Sequence, residues 1–173
     1  MFLASLFFSK VAFADAFSSN ETDAYNSLSN ASYALKVPVQ TIFSPYAGGT
    51  IGAKKMLTPT TAVEGEADFS IVAPIDGEDT DITFGVVPAF VKYLITEDKE
   101  GRLAPYLRIP VIFQGPLDDI TLGGGAAIGG ELFLLPALSL SVEIGADVTI
   151  SLPQEAIILQ KNNESSIDLR MYF

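Results

Sequence analysis

Leu138-Ser139-Leu140-Ser141-Val142-Glu143-Ile144-Gly145-Ala146-Asp147-Val148-Thr149-Ile150-Ser151 alternates apolar with polar or small side chains without a break. An extended strand puts Leu138, Leu140, Val142, Ile144, Ala146, Val148 and Ile150 on one face, and a helical period scatters them. Residues 120–135 obey the same rule. Ile120, Leu122, Ala126, Ile128, Leu132 and Leu134 oppose Thr121, Gly123, Gly125, Ala127, Gly129 and Glu131. Pro136-Ala137 leaves room only for a tight hairpin between the two runs.

The alternation recurs on both sides of this hairpin. It marks strands at residues 32–43, 46–57, 82–95, 104–114 and 166–173, seven in all with 120–135 and 138–151. In the closing strand Ile167, Leu169, Met171 and Phe173 oppose Asp168, Arg170 and Tyr172, and the pattern runs to the last residue. Pro38 needs a bulge or an unpaired position, because it has no ladder donor. Ser44-Pro45, 96–102 and Pro136-Ala137 are the shorter connections on one rim. The polar stretches 58–81 and 152–165 are the longer ones on the other, where only 115–119 is short. The acids of 58–81 (Glu64, Glu66, Asp68, then Asp76, Glu78, Asp79 and Asp81) fit a solvated loop. The later run does not match the spacing of a calcium-binding loop.

Bulk properties narrow the environment. The 173 residues suit one domain; they carry a formal charge of −11, yet are 49% apolar with a mean hydropathy of +0.36. The acidic balance argues against nucleic acid as a partner. No Cys, His or Trp is present, which excludes disulfides, thiol chemistry and His-based catalysis or metal ligation. Residues 1–14 resemble a secretory signal. Leu3, Leu6, Phe7, Phe8, Val11 and Phe13 form the apolar core, ending in Ala12-Phe13-Ala14 before Asp15, although no basic residue precedes that core. Residues 15–31 read as a polar segment or a weak first strand, and 32–173 as the barrel domain.

The same alternation serves a soluble barrel with a greasy interior and a membrane barrel with a greasy exterior. Three features favour the membrane. The apolar faces hold the large residues, while the polar faces hold Gly, Ala, Ser and Thr with a few charges, which suits a narrow lumen. The runs are long enough for tilted bilayer-crossing strands, which need about 9–11 residues. The connections alternate in length. The expected fold is therefore an all-β, up-and-down antiparallel transmembrane β-barrel of eight strands. Closure needs an even number, so the eighth strand is expected from the N-terminal region.

Gly129-Gly130-Glu131-Leu132-Phe133 followed by Leu138-Ser139-Leu140-Ser141-Val142-Glu143, the Ala104-Pro105-Tyr106-Leu107 opening, and the aromatic-terminated Asp168–Phe173 run resemble the small bacterial outer-membrane barrels of the OmpA transmembrane-domain and opacity type. The resemblance covers residue 32 to the end; it departs from that pattern in the missing first strand and in lacking a Gly within 166–173. It implies location in the outer membrane of a Gram-negative bacterium, and lipid and lipopolysaccharide as neighbours. It also implies recognition of Leu169, Met171 and Phe173 by the barrel assembly machinery.

Strand phase puts Arg108, Glu131, Glu143, Asp147, Asp168 and Arg170 on the inward face, as an ion-pair network filling the lumen. Lys92 shares the apolar phase and reads as a lysine snorkelling to the interface. Tyr33, Tyr46, Tyr93, Tyr106, Phe133 and Tyr172 are candidate interface aromatics. The function that follows is a monomeric, non-catalytic envelope or adhesion protein, with no cofactor or metal, and not a general porin. A narrow gated channel and a soluble lipocalin-like carrier are the alternatives.

Overall fold

A computed structural model describes residues 23–39, 49–72, 81–95, 101–115, 120–151, 156–160 and 166–173. The candidate signal at 1–14, Tyr46 and the acid run at 76–81 lie outside these, apart from the backbone of Asp81. One short helix, α1 (Ala24–Asn30), precedes the strands β1 (Tyr33–Pro38), β2 (Gly49–Thr58), β3 (Thr61–Val72), β4 (Asp81–Tyr93), β5 (Leu103–Gly115), β6 (Thr121–Leu135), β7 (Leu138–Ser151), β8 (Ala156–Gln160) and β9 (Ser166–Tyr172). Each strand pairs antiparallel with the next from β1 to β7. β8 pairs with one end of β7 and β9 with the other, so the two share a single lane. β9 then pairs with β1, from Ala34↔Tyr172 to Pro38↔Asp168, and the sheet closes into an eight-stranded up-and-down barrel. Closure leaves no full-length edge strand to aggregate.

The eighth strand is β3, not an N-terminal one, and residues 24–30 are helical. That strand also corrects the rims. Tyr33 lies beside Phe173, with Phe173 N donating to Tyr33 O at 2.9 Å. β1 therefore rises from the rim at which β9 ends, here the lower rim. Connections 59–60, 94–102 and 136–137 fall on that lower rim; 39–48, 73–80, 116–120 and 152–155 fall on the upper one. A strand hidden inside 58–81 reverses the direction of those before it, so β1 ends and β2 begins at the upper rim; Ser44-Pro45, between them, lies outside the described residues. Pro38 ends β1 instead of interrupting it. Gly115 takes φ 139° at the end of β5, a backbone region that glycine enters without strain.

α1 closes the lower mouth. Ala24, Ser27 and Leu28 are buried, and Leu28 and Ala24 join an apolar tier of Ala34, Ala62, Val91, Tyr93, Ala104, Tyr106, Phe133 and Tyr172. Asp23 caps the helix through Asn26 N at 3.3 Å and also accepts from Gly101 N at 3.0 Å, while Ala24 N donates to Gly101 O at 2.7 Å. A helix this short is unstable alone, so its docking holds it. Asp23→Ala removes the cap and one tether, and is expected to cost about 1 kcal/mol. Amide exchange should quicken at Asn26 and Gly101 and stay unchanged in β5–β7; equal exchange in both proteins counts against the cap.

Candidate functional site

Strand parity builds the interior. Along β5, exposed and buried residues alternate from Leu103 to Ile112, so Ala104, Tyr106, Arg108, Pro110 and Ile112 point inward. The outward positions carry Ile51, Val63, Phe90, Leu107, Ile109, Ile128, Leu132, Val142, Ile144 and Ile167, all exposed. The inward positions carry the charge: Lys36, Lys54, Glu64, Arg108, Glu131, Glu143, Asp168 and Arg170 are each at least nine-tenths buried.

Above the apolar tier, one carboxylate gathers the first polar layer. Glu131 accepts from Tyr93 OH at 2.7 Å, Tyr172 OH at 2.5 Å, Arg170 NH1 at 2.7 Å and the Ser139 hydroxyl. Lys54 Nζ lies 3.6 Å from it and donates to Tyr93 OH at 2.6 Å. Arg170 NH2 also donates to Tyr106 OH at 3.3 Å. The Tyr106 ring lies across Gly129, where a Cβ would collide with it; only glycine admits that crossing.

Glu64 centres the next layer, with Lys36, Lys54, Arg108 and Arg170 nitrogens at 3.6, 3.4, 3.3 and 3.7 Å. Four cations around one carboxylate need further acids. Glu66 takes Lys36 at 2.7 Å and Arg108 at 2.5 Å, Glu143 takes Arg108 at 3.1 Å, and Asp168 takes Lys36 at 3.1 Å. Asp168 also accepts from the Ser141 and Ser166 hydroxyls, both at 3.4 Å. Every lane of the barrel supplies a member. Buried charge is costly without partners, and here mutual pairing offsets the loss of water.

Of the residues singled out from strand phase, Arg108 meets Glu143, Arg170 meets Glu131, and Asp168 meets Lys36. Asp147 lies further up β7, across Gly125, where a Cβ would meet its carboxylate. Lys36, Lys54, Glu64, Glu66 and the tyrosine hydroxyls escaped sequence reasoning. Lys36 alternates with Leu35 and Val37, a signal that could have found it, but Glu64 and Glu66 looked like loop acids. The aromatic assignment is corrected too. Tyr93, Tyr106, Phe133 and Tyr172 are buried in the lumen, and Tyr33 alone of the described five faces outward, 54% exposed. The Tyr93 and Tyr172 hydroxyls donate to Glu131, the Tyr106 hydroxyl accepts from Arg170, and Phe133 packs on the Tyr172 ring; a tyrosine inside needs such a polar partner.

Among the described residues, no helix is long and apolar enough to cross a membrane, which says nothing of strands. No group of three or more acidic side chains there is arranged to hold a metal ion. No family model, no curated protein and no solved structure matches the chain.

Proposed function

We propose that the protein is an integral outer-membrane barrel of a Gram-negative bacterium, with a lumen plugged by its own side chains. Its role is structural or adhesive, through the connections of the upper rim, and it is neither an enzyme nor a general porin. One observation carries the reading: polarity is inverted. Among the described strand side chains, Glu64, Glu66, Asp68, Glu131, Glu143, Asp147 and Asp168 face the lumen, while large aliphatic and aromatic side chains face out around the circumference. In water such a continuous apolar belt favours association, and in a bilayer it is solvated. A lipocalin-like carrier requires the opposite arrangement, a greasy interior for its ligand. Ile167, Leu169 and Met171 stand on the outward phase of β9, opposite Asp168, Arg170 and Tyr172, and Phe173 follows its end at the lower rim. That strand end is the part offered to the assembly machinery in this reading.

Refolding into lipid vesicles tests it. The expected result is a detergent-extractable protein whose gel migration changes on heating, and which shows no steady conductance in a planar bilayer. Recovery in the aqueous phase without detergent would defeat the membrane assignment, and a steady large conductance would defeat the plug.

A further inference from the structure

Lipid-facing charge on this barrel has a direction. Among the described strand residues, Lys55 and Lys92 are the charged side chains that face outward, and both are exposed. They stand near the same rim. Lys55 lies on β2 beside Tyr33 and Val63, and Lys92 lies on β4 beside Thr61, the first residue of β3. Across β3 their strands are two spacings apart, about 10 Å. The β2–β3 turn sits between them and is rich in hydroxyls. Thr58 Oγ1 and Thr61 Oγ1 are 2.6 Å apart, and Lys92 Nζ donates to Thr60 Oγ1 at 2.9 Å, drawing that amine down to the turn. Lys55 Nζ lies 6.0 Å from the centre of the Tyr33 ring. The two stems cross apolar surface while the amines reach the level where a bilayer changes from hydrocarbon to headgroup.

We propose that Lys55 and Lys92, with the hydroxyls of Thr58 and Thr60 and the Tyr33 ring, form a seat for the phosphate of an anionic phospholipid in the leaflet at the lower rim. This rests on the membrane reading above. Charge complementarity selects the occupant. The outward strand face offers no described acid to repel a phosphate, and the two ammonium groups supply positive charge where a headgroup lies. The exposed apolar neighbours Val63 and Phe90, level with Lys55 and one step above Lys92, stand where its acyl chains begin. The lower rim is opposite the rim assigned to exposed surface connections, so the occupant is a glycerophospholipid and not lipopolysaccharide.

The test uses the full chain refolded in detergent, with lipid retention read by native mass spectrometry against phosphatidylglycerol, phosphatidylcholine and lipopolysaccharide. Wild type should retain phosphatidylglycerol in preference to phosphatidylcholine. Lys55→Gln and Lys92→Gln should each weaken that retention about fivefold, and the double variant about thirtyfold, from the attraction of a lysine for an anionic surface. Lys55→Arg with Lys92→Arg should keep the preference. Both lysines are exposed, so the variants fold, and heat-shifted gel migration verifies it. Equal retention by wild type and the double glutamine variant overturns the seat. So does lysine-dependent binding that favours lipopolysaccharide. Failure of wild type to enter vesicles at all counts against the membrane reading instead, and is distinguished by the extraction step.

Discussion

Glu131→Gln is expected to lower the unfolding free energy by about 3–5 kcal/mol, the usual cost of breaking a buried ion pair from one side. Glu131 and Arg170 are fully buried and Lys54 nearly so, leaving no water to take over the carboxylate's part. Glu64 remains near both cations, at 3.4 Å from Lys54 and 3.7 Å from Arg170, which places the glutamine variant at the lower end of that range. Glu131→Leu should cost more, because the Tyr93, Tyr172 and Ser139 hydroxyls also lose their acceptor. Combining Glu131→Gln with Arg170→Met should depart from additivity by about 0.5–3 kcal/mol, since the two share one network. The chain has no Trp, so urea unfolding from vesicles is followed by circular dichroism and gel migration. A glutamine variant within about 0.5 kcal/mol of wild type, as for an ordinary surface change, would refute the network's part in holding the lanes together.

Ile128→Arg addresses the other face. Ile128 lies midway along β6, paired with Ile144 of β7, and the two are 64% and 62% exposed. At mid-bilayer an arginine on the lipid side costs about 2–4 kcal/mol, falling to about 0–1 near an interface. Leu57→Arg, close to the β2–β3 turn, is therefore the matched control and should be nearly silent. A depth profile of this form requires hydrocarbon around the belt. In a soluble barrel both positions are surface sites, and both changes stay within about 0.5 kcal/mol. Equal, small effects at residues 57 and 128 would falsify the membrane reading while leaving the barrel intact.

The two variants probe the two faces of one alternation, and they differ in how openly the chain declares them. The outward face is legible wherever it is large. Ile144, Ile150, Phe113 and Leu132 identify their strands by spacing alone, and the hairpin at Pro136-Ala137 follows from two flanking runs. β3 hides because its outward face is small. Gly65 and Ala67 stand where other strands carry Leu or Ile, and Glu64, Glu66 and Asp68 alternate with them. A short acid-rich run of this kind has the composition of a solvated connection. It is a strand because it pairs along its length with β2 and β4, and its inward Glu64 meets Lys36, Lys54, Arg108 and Arg170 from β1, β2, β5 and β9.

Strand period, a fact of backbone stereochemistry, is what the sequence determines here: a β-barrel of alternating strands, the inward side of Arg108, Glu131, Glu143, Asp168 and Arg170, and the outward side of Leu169, Met171 and Phe173. Tertiary structure alone decides which charges meet. It also decides that the Tyr93 and Tyr172 hydroxyls meet Glu131, that α1 stops the lower mouth, and that the eighth strand is β3. Those outcomes depend on pairing between residues 30 to more than 100 positions apart. Closure of the ring brings them together, and no local pattern carries that information.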